Sequence, residues 1–397
     1  MSSVDDLIAE LCPHGVQFRT LGSLGKRNKG TPITAAKMKS LALVPGPIRV
    51  FAGGQTIADV AEDAVPSKNI VRVPSIIVKS RGHIGFTFYE KAFTHKSELW
   101  SYSIDHSDVD QKFVFYYLLT QVSKLQEIAR ATSVKLPQLS VKDTDTLKVP
   151  VPPLEVQREI VRILDTFSKM QAELEAELEA RKHQYEHYRQ ELMTSAASAE
   201  WSTLGEISSR VSSGATPKAG RAEYYQNGTI PWLRTGEVTF GEIFDTEIKI
   251  TEQALKETGA SWIKENCVIV AISGATAARS AINKIPLTTN QHCCNLQIDE
   301  TRANYRFVFY WVNSKYEELK SLGRGARADL NVKLIKDFPI PVPSLEEQGR
   351  IVDLLDKFDA LVNDLSIGLP AELNARRKQY EYYRDKLLTF KELEPAS

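Results

Sequence analysis

The side chains best placed to do chemistry in this sequence are basic and amide groups set in turns. Lys26, Arg27 and Lys29 stand in the stretch Gly25-Lys26-Arg27-Asn28-Lys29-Gly30. Lys79-Ser80-Arg81-Gly82-His83 follows a β-like run and ends in a turn. Further along, Lys218 follows the turn-rich Ser213-Gly214-Ala215-Thr216-Pro217. Arg234-Thr235-Gly236, Arg279 and Arg324-Gly325-Ala326-Arg327 offer arginines in similar settings. Lysines and arginines on turns can neutralise phosphates, and a few bidentate contacts to base edges then confer specificity. Gln291, beside Asn290, has the donor–acceptor pair that reads adenine, although such amides also close turns. For any single basic residue the plain alternative is a solvated surface charge.

Covalent chemistry finds no such foothold. An adenine methyltransferase needs an Asn/Asp-Pro-Pro-aromatic loop to hold its base, but Pro152-Pro153 lies between Val151 and Leu154. Neither the Pro-Asp start of a common metal-nuclease motif nor a Gly-x-x-x-x-Gly-Lys-Ser/Thr phosphate loop occurs. Cys12, Cys267, Cys293 and Cys294 have no Cys-x-x-Cys spacing, and His83, His95 and His292 have no partner at metal-ligand spacing. The expectation is no catalytic residue, no metal and no cofactor in this chain.

The elements that must position these turns are written twice. Val149-Pro150-Val151-Pro152-Pro153-Leu154-Glu155-Val156-Gln157 is echoed by Ile340-Pro341-Val342-Pro343-Ser344-Leu345-Glu346-Glu347-Gln348. Each copy runs on through Ile-Val…Leu-Asp…Phe and closes on Gln-Tyr-Glu-x-Tyr-Arg, at Gln184–Arg189 and Gln379–Arg384. The prolines end an extended run and permit a helix start. From there an apolar seam steps by alternating fours and threes: Ile160, Leu164, Phe167, Gln171, Leu174, Leu178, Arg181, Tyr185, Tyr188, Leu192. Eight of these ten positions are apolar or aromatic, which argues for a coiled-coil helix. From Glu155 to Met193 it would span roughly 58 Å. The second seam, Ile351, Leu355, Phe358, Val362, Leu365, Leu369, Leu373, Arg376, Tyr380, Tyr383, Leu387, contains a stutter. Gly368 and Pro370 stand there, so a kink or short break is expected, with Pro370 opening the next helix.

Two such helices separated by a folded segment most simply pair antiparallel; dimerising a second copy is the alternative. Seam positions assign Tyr185, Tyr188, Tyr380 and Tyr383 to packing rather than to base stacking. Arg181 and Arg376 lie on the same seams and should find a carboxylate on the other helix or on a partner.

The repeat extends beyond the helices. Phe18-Arg19-Thr20-Leu21-Gly22 returns as Trp201-Ser202-Thr203-Leu204-Gly205, and Phe113-Val114-Phe115-Tyr116 as Phe307-Val308-Phe309-Tyr310. Between these marks the two bodies differ. The first offers β-like runs at Ile48–Phe51, Ile70–Val73, Ile76–Lys79 and Phe86–Tyr89, and the second at Val268–Ile272. This reading divides the chain into a short helix (1–15), a first globular body (16–148) and a central repeat with a long helix (149–198). A second globular body (199–339), a distal repeat (340–393) and a tail (394–397) follow. Residues 1–150 carry 19 basic and 14 acidic side chains, whereas 151–200 carry 6 and 10. Mildly basic bodies and acidic helices permit nucleic-acid binding without demanding it. With no leader-like or membrane-length apolar run, a cytoplasmic protein is expected.

The doubled Pro-x-Pro-x-Leu-Glu-x-Gln motif and Ala375–Phe390 resemble the specificity subunit of type I restriction–modification systems. Gly214-Ala215-Thr216-Pro217, Ile230–Gly236, Gly274-Ala275-Thr276 and Thr288-Thr289-Asn290-Gln291 are similar to one class of its target-recognition domain. The doubled Ala-Glu-Leu-Glu at Ala172–Glu179 resembles the tetrad repeats of the IC branch. The resemblance implies an α/β multidomain protein with an internal pseudo-two-fold repeat. Two target-recognition domains would be separated by two long antiparallel coiled-coil helices. It also implies a non-catalytic reader of bipartite double-stranded DNA that docks two methyltransferase subunits and, through them, motor–nuclease subunits. S-adenosylmethionine would sit on the methyltransferases. The rival readings are a self-contained DNA-modifying enzyme and a coiled-coil scaffold that does not bind DNA.

Overall fold

A computed structural model describes residues 2–54, 56–132, 135–196, 198–323, 329–364 and 366–394. The chain divides into two compact units, Met1–Glu175 with Leu373–Ser397, and Ala176–Glu372. The cut falls between the two Ala-Glu-Leu-Glu tetrads, within one continuous shaft helix, Leu154–Ala196. Each unit therefore takes half of that helix and a segment of the distal repeat.

In the first unit the doubled sequence marks pair with each other. The opening strand Gln17–Thr20 runs antiparallel to the closing strand Lys148–Val151, with Phe18 opposite Pro150. Leu21 N then donates to Leu147 O at 2.9 Å. Gly22 follows because the chain passes against the next element: a Cβ here would lie 3.1 Å from the Asp145 side chain. Between the two strands lies a four-stranded antiparallel sheet ordered Gly25–Asn28, Trp100–Ile104, Ser75–Lys79, Gly85–Tyr89. A three-stranded sheet is ordered Ile57–Val60, Ile48–Phe51, Phe93–His95. Ile76, Val78, Trp100 and Tyr102 pack with Leu118 and Leu125 into one core. Ile70–Val73 is not a strand. Only Val71 bridges Phe93, because Pro74 cannot donate to a ladder and a 3₁₀ turn, Ser67–Asn69, precedes it.

The helix Gln111–Thr120 seats this body on the shaft. Its Phe113 and Tyr116 join Val156, Ile160, Leu164, Leu387 and Leu388 in a shared cluster. Leu387 belongs to the distal helix Leu369–Leu387, which runs antiparallel to the shaft. Phe167 stacks on Tyr383 at 5.6 Å, and Glu175 meets Arg377 at 2.7 Å, so one number rises as the other falls. The Arg377 hydrogen bond pulls the Glu175 carboxyl below its usual range and keeps the pair charged.

The second unit repeats this plan around a different interior. Trp201–Thr203 pairs antiparallel with Pro339–Pro341, and Leu204 N donates to Phe338 O at 3.0 Å. A five-stranded sheet is ordered Ser208–Ser213, Cys293–Ile298, Val268–Ala271, Ser280–Asn283, Glu242–Ile243; a three-stranded sheet accompanies it. The seat helix is Tyr305–Ser314. The helix Leu345–Asn363 lies against the second half of the shaft, with Phe358 5.5 Å from Tyr188 and 6.5 Å from Tyr185. Phe167 with Tyr383 and Phe358 with Tyr188 are thus the same contact between repeated motifs.

The distal seam is interrupted between Asn363 and Leu369, and Pro370 occupies the first turn of the following helix. Gly368 closes this corner, since a Cβ there would meet Ala360 O at 2.4 Å. Along the seams, Ile160, Leu164, Leu178, Tyr185, Ile351, Leu355 and Leu387 are buried. Phe167, Leu174, Tyr188, Leu192, Phe358, Tyr380 and Tyr383 are half-buried, and Leu365 lies outside the described residues. The expected cross-helix partner of Arg181 is replaced by a local one. Arg181 pairs with Glu177 at 3.5 Å and bonds Gln184 at 3.0 Å on its own helix, because a long guanidinium reaches an adjacent turn at less ordering cost. Arg376 donates to Gln379 on its own helix, and Arg377 crosses the pair to Glu175.

Leu164→Ala and Leu355→Ala each remove a fully buried seam side chain, and each should cost about 2–5 kcal/mol in chemical denaturation. A loss below about 1 kcal/mol at either site would contradict the packing described.

Candidate nucleic-acid interface

In the first unit, Lys26 and Arg27 project from the outer strand of the four-stranded sheet. Its other edge is paired, with Asn28 bonding Ser103 at 2.8 Å. These residues and Lys29 line an open cleft of about 1240 Å³. Lys68 and Arg72 line it too. Five cations against one carboxylate, Asp105, make the cleft electropositive. Arg27 is steered by Asp145 at 2.8 Å and Arg72 by Glu62 at 2.5 Å. Lys26, Lys29 and Lys68 make no ion pair among the described residues, which leaves their charge available to a ligand. Sequence reasoning misses Lys68 and Arg72, whose signal is a basic turn bounded by Pro66 and Pro74. Lys79 and Arg81 do not join the cleft. Lys79 ends the strand Ser75–Lys79 half-buried, and the Arg81 backbone bridges Gln138.

In the second unit the glycine-rich turn is held down at three points. Ala215 N donates to Thr289 O at 3.0 Å, Trp232 Nε1 to Ala215 O at 3.0 Å, and the Tyr225 hydroxyl to Pro217 O at 2.5 Å. Gly214 permits this approach, since a Cβ there would lie 1.7 Å from Thr289 O. The clamp brings the Thr216 hydroxyl onto Gln291 Oε1, while Gln291 Nε2 lies 3.3 Å from His292 Nε2. Lys218 stands exposed on the same turn. The two adjacent amides divide their work. Asn290 is buried and closes the turn, accepting from His292 N at 3.0 Å, whereas Gln291 is exposed.

The remaining arginines stand apart from this cluster. Arg234 is held by Glu247 at 2.5 Å and Glu237 at 3.5 Å, so its charge is offset locally. Arg279 lies 5.9 Å over the Phe240 ring. Arg324 and Arg327 lie outside the described residues. A cleft of this unit, about 1380 Å³, carries a net negative charge: Glu186, Glu242, Glu317, Glu318, Asp356, Asp359 and Asp364 line it together with Arg189, Arg306 and Lys315, which pair with Glu186, with Glu242 and Asp356, and with Glu318. The exposed Phe240 and Phe244 also line it. The excess of carboxylates over cations disfavours phosphate there.

The other reactive residue types are spent in the core. Burial pushes the Cys293 and Cys294 thiols up to about 12 and Cys267 to about 11, which leaves them protonated. His95 is buried against Ser101 and Lys96 O, and desolvation lowers its pKa so that it is neutral. No group of three His, Cys, Asp or Glu side chains able to hold a metal occurs among the described residues.

A family model described as the type I restriction modification DNA specificity domain matches residues 13–181 and 199–375. The chain belongs to this family. The Escherichia coli EcoR124I/EcoR124II specificity subunit is 34% identical over 307 residues, covering 74% of each chain. The Escherichia coli EcoprrI specificity subunit is 35% identical over 218 residues, 52% of this chain and 53% of that one. The fold matches that of a type I specificity subunit from M. genitalium, with a TM-score of 0.57 at 19% identity, over 94% of this chain and 96% of that one. A chain from a type I restriction–modification assembly gives 0.60 at 13% identity, over 94% and 97%. In this specificity subunit the family repeats and the compact units are out of phase. The first match ends at residue 181, whereas the first unit ends at Glu175 and takes its distal helix from the far end of the chain.

Gly214→Ala should lower the melting temperature and release the Thr216–Gln291 contact, seen as faster amide exchange across residues 213–218. Unchanged exchange there would contradict the close approach to Thr289.

Proposed function

We propose that this chain is the reading subunit of a restriction–modification complex and takes a bipartite double-stranded DNA target, one α/β body to each half-site. The observation that carries the reading is the seating of two dissimilar bodies through the same contacts on a repeated helix pair. Identical frames with different interiors suit one task performed on two different sequences. The chain reads and does not react. Two methyltransferase subunits holding S-adenosylmethionine would methylate adenine, and motor–nuclease subunits joining through them would cleave. The acidic, Phe-lined cleft of the second unit suits a partner subunit that presents Lys or Arg side chains. Among the described residues no helix is long and apolar enough to cross a membrane, and we place the complex in the cytoplasm with its DNA.

In this reading the basic cleft grips phosphates, while Thr216, Lys218 and Gln291 face the second half-site. Methylome sequencing of a host carrying this chain and its partners tests the whole. The expected pattern is adenine methylation at two short specific sequences separated by a fixed non-specific gap; methylation at one continuous sequence overturns it.

Replacing Lys26, Lys29 and Lys68 together with Ala should weaken DNA binding and reduce the slope of log affinity against log salt, by about 0.9 for each phosphate no longer neutralised. An unchanged slope removes the cleft from the interface. Arg234→Ala, already neutralised by two glutamates, should change that slope little. Deleting Ala176–Glu179 shortens the shaft by about 6 Å, between one and two base-pair steps of about 3.4 Å. The methylated gap should contract with both half-sites unchanged; an unaltered gap would refute the helix as a spacer.

A further inference from the structure

Each body meets its helix through a glutamine that does the same thing in both units. Gln157 is fully buried in the first turns of the shaft. Its Oε1 accepts from Asp110 N at 2.7 Å, and its Nε2 donates to Asp108 O at 2.9 Å and Pro152 O at 2.6 Å. Gln348, also fully buried, accepts from Asn304 N at 2.7 Å and donates to Pro343 O at 2.8 Å and Arg302 O at 3.5 Å. One carboxamide thus ties three backbone segments: the turn before the seat helix, the end of the closing strand, and the start of the long helix. Asp110 and Asn304 are the N-caps of the two seat helices. The glutamine satisfies the backbone N–H of the residue whose own side chain is occupied in capping.

A second tie follows eight residues later in each copy, about 12 Å along the helix. Asp165 accepts from Lys112 at 2.8 Å and Tyr116 at 2.6 Å. Asp356 accepts from Arg306 at 2.7 Å and Tyr310 at 2.5 Å. Burial and the adjacent carboxylate raise both tyrosine pKa values, so each phenol stays a donor. One attachment leaves a pivot, whereas a second one about 12 Å along the helix fixes the tilt of the body against it. The apolar contacts around Val156 and Ile160 already hold the first body down, but dispersion is non-directional and tolerates sliding. Hydrogen bonds to buried carbonyls do not.

We infer that Gln157 and Gln348, each backed by its aspartate, are positioning residues that set the angle of each reading body on its helix and thereby restrict which half-site spacing the subunit accepts. Neither glutamine lines the basic cleft or the Thr216–Gln291 surface, so their effect on binding is geometric. Only Gln supplies donor and acceptor at this reach; Met matches its shape and supplies neither. This inference rests on the bipartite reading proposed above.

The test uses the assembled complex of full-length chain and methyltransferase subunits. Affinity is measured for duplexes with intact half-sites and the native gap, or that gap changed by one base pair. Gln157→Met, Gln348→Met and the milder Tyr116→Phe and Tyr310→Phe are compared with a seam variant, Ile351→Val, as a control for general loosening. Each Gln→Met variant should reduce the preference for the native gap about three- to tenfold while base preference within each half-site holds. The Tyr→Phe variants should move the same way by less, and Ile351→Val should leave the preference intact. Should a Gln→Met variant fail to fold, Tyr116→Phe decides, since Tyr310 also lines the cleft offered to a partner subunit. An unchanged gap preference in folded variants, or an equal reduction in Ile351→Val, overturns the positioning role. A wild-type complex indifferent to the gap refutes the bipartite reading instead.

Discussion

A seam of leucines, isoleucines and aromatics along a helix cannot face water, and the fold follows from how this chain covers it. The shaft helix outruns its own body, so each half of its seam is covered by a segment distant in sequence. Phe167 lies on Tyr383, and Tyr188 on Phe358. The repeats therefore exchange helix tails. A single repeat expressed alone would lack the partner for half its seam, and both units depend on chain from both repeats.

Placed on this frame, the bodies are free to differ. Their opening and closing strands pair in the same way, and their seat helices are anchored by the same residue types, while sheet order and loops diverge. Electrostatics then separates surfaces by task. Lys26, Lys29 and Lys68 converge in a cleft where cations outnumber carboxylates, whereas the second unit's cleft has more carboxylates than cations beside exposed phenylalanines. Most individual surface ion pairs contribute about 1 kcal/mol or less. The concentration of one sign of charge in a concave site therefore matters more than any single pair.

The frame was legible in the sequence because it is repeated and periodic. Proline runs, heptad spacing and the Gly368-Pro370 interruption are local signals, and they mark where helices start, pair and break. Ile48–Phe51 and Phe86–Tyr89 read as strands for a similar reason. The interface was less legible because it is built by non-local approach. Nothing near Arg234 announces that Glu247 will neutralise it. Lys68 and Lys26 become neighbours only when a Pro-bounded turn folds over an edge strand. Ile70–Val73 has strand composition, but its flanking prolines and 3₁₀ turn leave only a single bridge. Arg181 found its carboxylate one turn away rather than across the pair.

Each unit has an aromatic contact, related to the other's by the sequence repeat, that joins its shaft segment to a distant part of the chain. Two double-mutant cycles test this pairing most directly: Phe167→Ala with Tyr383→Ala, and Phe358→Ala with Tyr188→Ala, read by chemical denaturation. Each cycle should return a coupling of about 0.5–1.5 kcal/mol, and the cross-cycle of Phe167→Ala with Phe358→Ala should return additivity within about 0.5 kcal/mol. Additive behaviour within either aromatic pair would contradict the account.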